Sequence, residues 1–252
     1  MIEILKKQIL SLQEFYVLSG KALANLFRSP HYWDDVLAQM DRIGVGSVAI
    51  VCLVGGFSGA VMALQMSKAL DTYGASSQAG GIVSFILVTQ LGPTLTSLVV
   101  AGRNASGIAS ELGSMKVTEQ IDAMRALGTD PIQKLVTPRM IAMATMLPVL
   151  TIISDFVGVV GGWLIAIGMI QGATSGQYWT TVYDILKWAD VVQGLIKPFI
   201  NAFVIALVGC YCGLRTSGGT QGVGRATTEA VVISYVWIFV LNLFLTQIFV
   251  KL

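Results

Sequence analysis

Charge is what this sequence lacks most. Of its 252 residues only 12% are Asp, Glu, Lys or Arg, while 54% are hydrophobic and the mean hydropathy is +0.74. A soluble domain carries about 25% charged residues, so this balance excludes a disordered chain and a water-soluble enzyme. Histidine is reduced to one residue, His31. That leaves no Ser-His-Asp or Cys-His constellation and no zinc ligand set, so no catalytic residue and no metal site are expected. The three cysteines, Cys52, Cys210 and Cys212, are odd in number and lie in apolar runs, so they read as small hydrophobes. A G-x-x-x-x-G-K-[ST] phosphate loop is missing throughout, so any ATP behind the function is bound and hydrolysed by another subunit. The net charge of +2 is mild and scattered, which argues against a nucleic-acid partner.

What remains is an all-α polytopic membrane protein. A crossing needs about 20 apolar residues. Five stretches qualify: about 43–67, 83–102, 140–170, 194–214 and 229–250. The third is long and holds Pro148 with Gly158, Gly161 and Gly162, so a sixth span arises if it divides. Residues 1–29 precede this domain of residues 30–252. They lack the continuous apolar core of a signal peptide, but Leu5, Ile9, Leu12 and Tyr16 recur at helical spacing. Such a stripe suits an interfacial amphipathic helix, ended by Ser29-Pro30; packing on protein is the plainer alternative. His31, among aromatics, reads as part of an interfacial belt.

Orientation follows from the basic residues between spans. With the N-terminus inside, the cytoplasmic side holds Lys6, Lys7, Lys21, Arg28 and Arg42, then Arg103, Lys116, Arg125, Lys134 and Arg139, then Arg215 and Arg225. The outer face keeps Lys68, Lys187, Lys197 and Lys251, so the C-terminus is expected outside. No two halves of the chain match, which disfavours carriers built on inverted repeats.

The loop between Arg103 and Arg139 contains KVTEQIDAMRALGTDP. Val117, Ile121, Met124 and Leu127 form one face of a helix over 116–127. Lys116, Glu119, Gln120, Asp122 and Arg125 form the other; Gly128 and Asp130-Pro131 stop it. Its apolar face can lie on lipid headgroups, on its own protein or in a partner's groove.

Asp122-Ala123-Met124 with Gly128 looks like a variant of the EAA loop of ABC-transporter permeases, with Asp for Glu and Met for the second Ala. The wider stretch LGPTLTSLVVAGRNASGIASELGSMKVTEQIDAMRALGTDPIQKLVTPRMIA closely resembles the MlaE/YrbE permease family of lipid-transporting ABC systems, and RATTEAVV resembles that family's C-terminal motif. The resemblance implies a bacterial inner-membrane permease that moves phospholipids between inner and outer membranes. It also implies a homodimer above two ABC ATPase subunits, coupled through the cytoplasmic helix by Val117, Glu119, Ile121, Asp122, Met124, Arg125 and Leu127. A hexameric periplasmic MCE-domain protein and, in some members, a small STAS-domain protein complete the implied assembly. Leu64, Leu70 and Tyr73 match the family region lining the lipid cavity, and Gln65 is its polar member. Many relatives carry Arg-Glu before Leu-Gly-Pro where this chain has Thr89 and Gln90, so any headgroup contact there rests on hydrogen bonds. An ATP-independent carrier or channel, and a non-transporting scaffold, are the rival functions.

Four charged residues stand apart. Asp155, within the third stretch, is either a lipid-contacting or conformational element or a carboxylate beside a helix break. Glu111 is expected to pair with Arg103 or Arg139, and Arg225 with Glu229 to form a cytoplasmic-side brace, conformational switching being the alternative. Gly55-x-x-x-Gly59 and Gly158-x-x-x-Gly162 allow close helix approach, within the chain or at a dimer seam.

Overall fold

A computed structural model describes residues 2–26, 32–72, 74–75, 78–169 and 174–251, and among them there are helices and no strand. In chain order the helices are α1 (Ile2–Asn25), α2 (Trp33–Asp71), α3 (Ala79–Val117), α4 (Gln120–Ala126), α5 (Ile132–Gly168), α6 (Ser175–Ile185), α7 (Trp188–Leu214) and α8 (Gly219–Lys251). The five that are long and apolar enough to cross a membrane are α2, α3, α5, α7 and α8. The third apolar stretch does not divide, because α5 runs through Pro148 as one helix. Ser29-Pro30, His31 and Tyr73 lie outside the described residues.

The chain forms two compact units. The first comprises Met1–Ile43, Ala101–Ala144 and Ala202–Val236; the second comprises Gly44–Val100, Thr145–Asn201 and Trp237–Leu252.

In the second unit, residue size marks the buried face. Along α2 every fourth residue is buried: Ser47, Val51, Gly55, Gly59, Ala63 and Ser67. Ile50, Leu53, Phe57, Val61 and Leu64 point outward. A helix in lipid gains little by hiding bulky apolar groups, so small residues go to the helix contact, where backbones can close in. A Cβ on Gly55 would lie 2.6 Å from the Ser154 carbonyl oxygen, and one on Gly161 2.5 Å from that of Gly56. One on Gly59 would collide with the Gly158 carbonyl. The two glycine motifs therefore face each other within one chain. At one end of this unit α6 packs on the first turns of α3, with the Tyr178 ring over Gly80 and its hydroxyl donating to the Val159 carbonyl at 3.1 Å. Burial beneath these helices pushes the Tyr178 hydroxyl up to about 12, so it remains a neutral donor.

The first unit buries Ile43, Ala105, Leu112, Ile121, Met140 and Ala206. Helix α1 presents Phe15, edge-on to Tyr211 at 5.4 Å, and Glu14, paired to Arg215 at 3.2 Å; further along it Ala22 and Asn25 are buried. Ile9 and Tyr16, from the apolar stripe, stay exposed. Among the described residues four π-helical turns interrupt the long helices, at Asp41–Val45, Leu87–Leu91, Ala101–Ala105 and Ile132–Val136. Each inserts a residue into the helical ladder and re-aims the side chains that follow, a distortion frequent at functional sites.

Candidate functional site

The second unit holds a polar centre built on a proline. In an α-helix the carbonyl of Thr89 would accept the N–H of residue 93, but residue 93 is Pro and has none. The π turn Leu87–Leu91 lies at this break, and its opened backbone is met by α7. Gly194 of α7 abuts the Val88 carbonyl, which brings Lys197, one turn on, against the turn. Lys197 Nζ donates to the Thr89 carbonyl at 2.8 Å, to Gln90 Oε1 at 2.9 Å and to Thr246 Oγ1 of α8 at 3.0 Å. One turn further, Asn201 Nδ2 donates to Ser97 Oγ at 3.0 Å, and Ser97 donates to the Pro93 carbonyl at 2.7 Å.

Lys197 is only 1% exposed, and its three N–H donors are taken up by three neutral oxygens. It makes no ion pair among the described residues. A lysine inside a span with no carboxylate partner lacks a negative charge that an anionic group could supply. Its position corrects the sequence reading, which assigned Lys197 to the outer connections. The available signal was a lone lysine inside an apolar stretch, next to Pro198. Thr89 and Gln90 thus meet at one centre, the first through its backbone and the second through its side chain.

The remaining residues expected to line a lipid cavity are not gathered there. Leu64 and Gln65 lie on the exposed side of α2, and Leu70 is half-buried near its end. Gln65 makes no hydrogen bond among the described residues. Asp155 of α5 is pressed against Gly92, and its buried Oδ1 has no hydrogen-bond partner among the described residues.

In the first unit the segment expected to dock a partner has a definite shape. The helix begins at Gln120 rather than 116, because Glu119 adopts a left-handed φ of 59° and breaks it from α3; Val117 is therefore the last residue of α3. The far end closes with Gly128 at φ 79°, its N–H on the Arg125 carbonyl (3.0 Å) and the Thr129 N–H on that of Met124 (3.0 Å). This double bond around a left-handed glycine is a Schellman cap. Asp130 Oδ1 then accepts the Ile132 N–H at 2.9 Å and caps α5, with Pro131 in its first turn. Ile121 is 0% exposed, so the chain's own core takes it up. Lys116 ties α3 to Asp122 at 2.7 Å, and this bond holds the Asp122 carboxyl below its ordinary value. Asp122 also takes Arg125 at 3.4 Å. Met124 is half-buried, Val117 partly exposed and Leu127 84% exposed, which leaves α4 as a braced short rod with an apolar tip.

Glu111 receives Arg42 at 2.7 Å and Arg139 at 3.0 Å, where the sequence suggested Arg103 or Arg139. Arg42 is far away in sequence, and only the packing of α2 on α3 brings it close. Arg225 and Glu229 pair at 3.1 Å across one exposed turn of α8.

Similarity to known proteins now bears on this arrangement. Residues 36–248 match the family model described as Permease MlaE. The chain belongs to the MlaE permease family. It is 39% identical over 241 residues to a probable ABC transporter permease protein of Rickettsia bellii, covering 96% of this chain and 93% of that protein. It is 34% identical over 233 residues to the chloroplastic protein TRIGALACTOSYLDIACYLGLYCEROL 1 of Arabidopsis thaliana (92% and 66%). It is also 32% identical over 214 residues to the intermembrane phospholipid transport system permease protein MlaE of Haemophilus influenzae (84% and 82%). MlaE family membership fits the five helices long and apolar enough to span a membrane.

Proposed function

We propose that this chain is the membrane subunit of an ABC-type phospholipid transporter that moves lipid between inner and outer membranes, with ATP hydrolysed on a separate partner. The observation that carries the reading is the unpaired Lys197 within the spanning helices. Three neutral oxygens hold its ammonium, and because none of its N–H donors is left over, the phosphate of a phospholipid headgroup supplies the missing anion by displacing the Gln90 or Thr246 side chain. The outward apolar stripe of α2, which includes Leu64, offers acyl chains a surface of their own kind. The partner ATPase takes the tip of α4, and because Ile121 and Lys116 clamp this rod to the protein, its displacement is transmitted to α3 and α5. ATP binding then biases two arrangements of the spans, without covalent chemistry on this chain.

The relatives' names, an ABC transporter permease and a phospholipid transport system permease, support an ABC ATPase partner; the proposed assembly adds an MCE-domain protein outside and, in some systems, a STAS-domain protein. The exposed apolar face of α8, with Val236, Phe239 and Leu243, suits a second copy and hence a homodimer. The residue ranges of the first unit contain all twelve basic residues assigned to the cytoplasm, which supports an inner-membrane protein with its N-terminus inside and C-terminus in the periplasm.

One observation favours a second reading, an ATP-independent carrier: Asp155 and Lys197 are both ionisable groups within spans. Proteoliposomes holding the permease, its ATPase and a fluorescent phospholipid separate the two. Lipid transfer that needs hydrolysable ATP and ignores a proton or sodium gradient is expected. Transfer driven by a gradient alone would overturn the proposal.

A further inference from the structure

The first unit contains a second basic site, on different residues from the Lys197 centre. A cavity of about 360 Å³ lies between α2 and α3 and is lined by Gln39, Arg42, Arg103, Asn104, Ser110 and Glu111, among others. Two of the π turns deliver its arginines: Arg42 sits in Asp41–Val45 and Arg103 in Ala101–Ala105. Charge in this neighbourhood does not balance. Glu111 is the one carboxylate lining the cavity, and it is already shared by Arg42 and by Arg139, whose side chain is 5% exposed. Arg139 Nε is buried with no hydrogen-bond partner among the described residues, and Arg103 makes no ion pair there. An adjoining cavity of about 170 Å³ shares Gln39 and Glu111 and adds Lys134, but Asp35 neutralises that lysine. Asp41, beside Arg42 in the chain, does not line either cavity. Three guanidinium groups thus face one carboxylate.

Depth specifies what the surplus charge meets. Arg42 stands one residue before the first apolar stretch, and Arg103 one residue after the second. Both therefore lie at the border between hydrocarbon and headgroups, where basic pockets between spanning helices hold lipid phosphates. Gln39, Asn104 and Ser110 add neutral polar groups around that position. A Cβ at Gly107, another lining residue, would meet nothing within 4 Å, so the cavity is open on that side.

We propose that the cavity between Arg42 and Arg103 binds the phosphate group of an anionic phospholipid from the adjoining leaflet. The guanidinium pair supplies bidentate charge-assisted donors to the phosphate, and Glu111 holds Arg42 and Arg139 in place.

The test uses the full chain in mild detergent with equal phosphatidylglycerol and phosphatidylcholine, and native mass spectrometry counts retained lipid. Preferential retention of phosphatidylglycerol is expected, with the preference falling about tenfold in Arg42→Gln and Arg103→Gln. Arg103→Lys, which keeps the charge, should retain more of it. Gly107→Leu should block the site sterically without altering charge, which covers the case of an arginine variant that misfolds. Equal retention of both lipids by the unmodified protein and all variants would overturn the proposal. So would arginine variants that keep their lipid but lose the ATPase on co-purification, since the ligand would then be protein. Displacement of phosphatidylglycerol by millimolar-range inorganic phosphate would reassign the site to a soluble anion.

Discussion

Lys197 and Gly59 show how one residue carries more than its neighbours. Replacing Lys197 with Met leaves the Thr89 carbonyl buried without this donor, at about 1–3 kcal/mol, and leaves Gln90 Oε1 with the Thr246 hydroxyl at 3.4 Å. The expected outcome is a permease that still inserts but co-purifies with less phospholipid, measured by lipid mass spectrometry against Lys197→Arg. Unchanged lipid content in Lys197→Met would remove the lysine from the site. Gly59 is a packing position instead. Any side chain there strikes the Gly158 backbone carbonyl, which cannot rotate away, so Gly59→Val should cost about 1–3 kcal/mol and lower the thermal midpoint in detergent. Gly168→Ala, where a Cβ meets nothing within 4 Å, is the matched control and should leave the midpoint in place.

At the scale of elements, α4 is the part whose behaviour follows from its bracing. Its apolar stripe divides into a root and a tip: Ile121 is sealed in the core, and Leu127 stands in the open. Met124→Asp and Leu127→Asp should therefore lower ATPase co-purification and ATP-driven transfer while insertion is retained. Equal ATPase yield and activity in both would count against docking at this rod. Ile121→Ala acts differently, by emptying a core position at about 2–5 kcal/mol, and should loosen α4 itself. The Lys116–Asp122 tie also has a pH signature. Because the bond from Lys116 lowers the Asp122 carboxyl, its contribution is fully present above the ordinary carboxylate range and disappears as pH falls through the lowered value. The hydrogen-exchange protection of α4, taken relative to the intrinsic rate at each pH, should therefore be unchanged from neutral pH to mild acid and fall only at strongly acidic pH; Asp122→Asn should show the lower protection at neutral pH.

At the scale of the whole molecule, the division of basic residues governs orientation. The first unit's ranges hold twelve lysines and arginines; the second unit's hold Lys68, Lys187, Lys197 and Lys251, of which Lys197 lies within a span. Gln120→Cys in intact cells should react with thiol reagents only after the inner membrane is permeabilised, and Asp184→Cys without that treatment. The reverse pattern would turn the protein over and place α4 on the side without ATP, against the proposed docking. Cys210 and Cys212 are buried and contribute little background, and Cys52 is replaced beforehand.

The sequence by itself determined the class of the protein, its five spans, the stop at Gly128 and Asp130-Pro131, and the family, because these rest on local composition, backbone chemistry and a contiguous motif. Pro93, by its missing N–H, also frees the Thr89 carbonyl whatever the packing. Tertiary structure alone decided what meets that carbonyl, since Lys197 is more than a hundred residues from Thr89 and its spacing carries no mark of the pairing. It decided that the glycine motifs face each other within one chain and that Glu111 takes Arg42, for the same reason. Where helices in lipid present uniformly apolar surfaces, periodicity does not reveal which face touches which neighbour; small residues and buried polar groups do so only after the helices have packed.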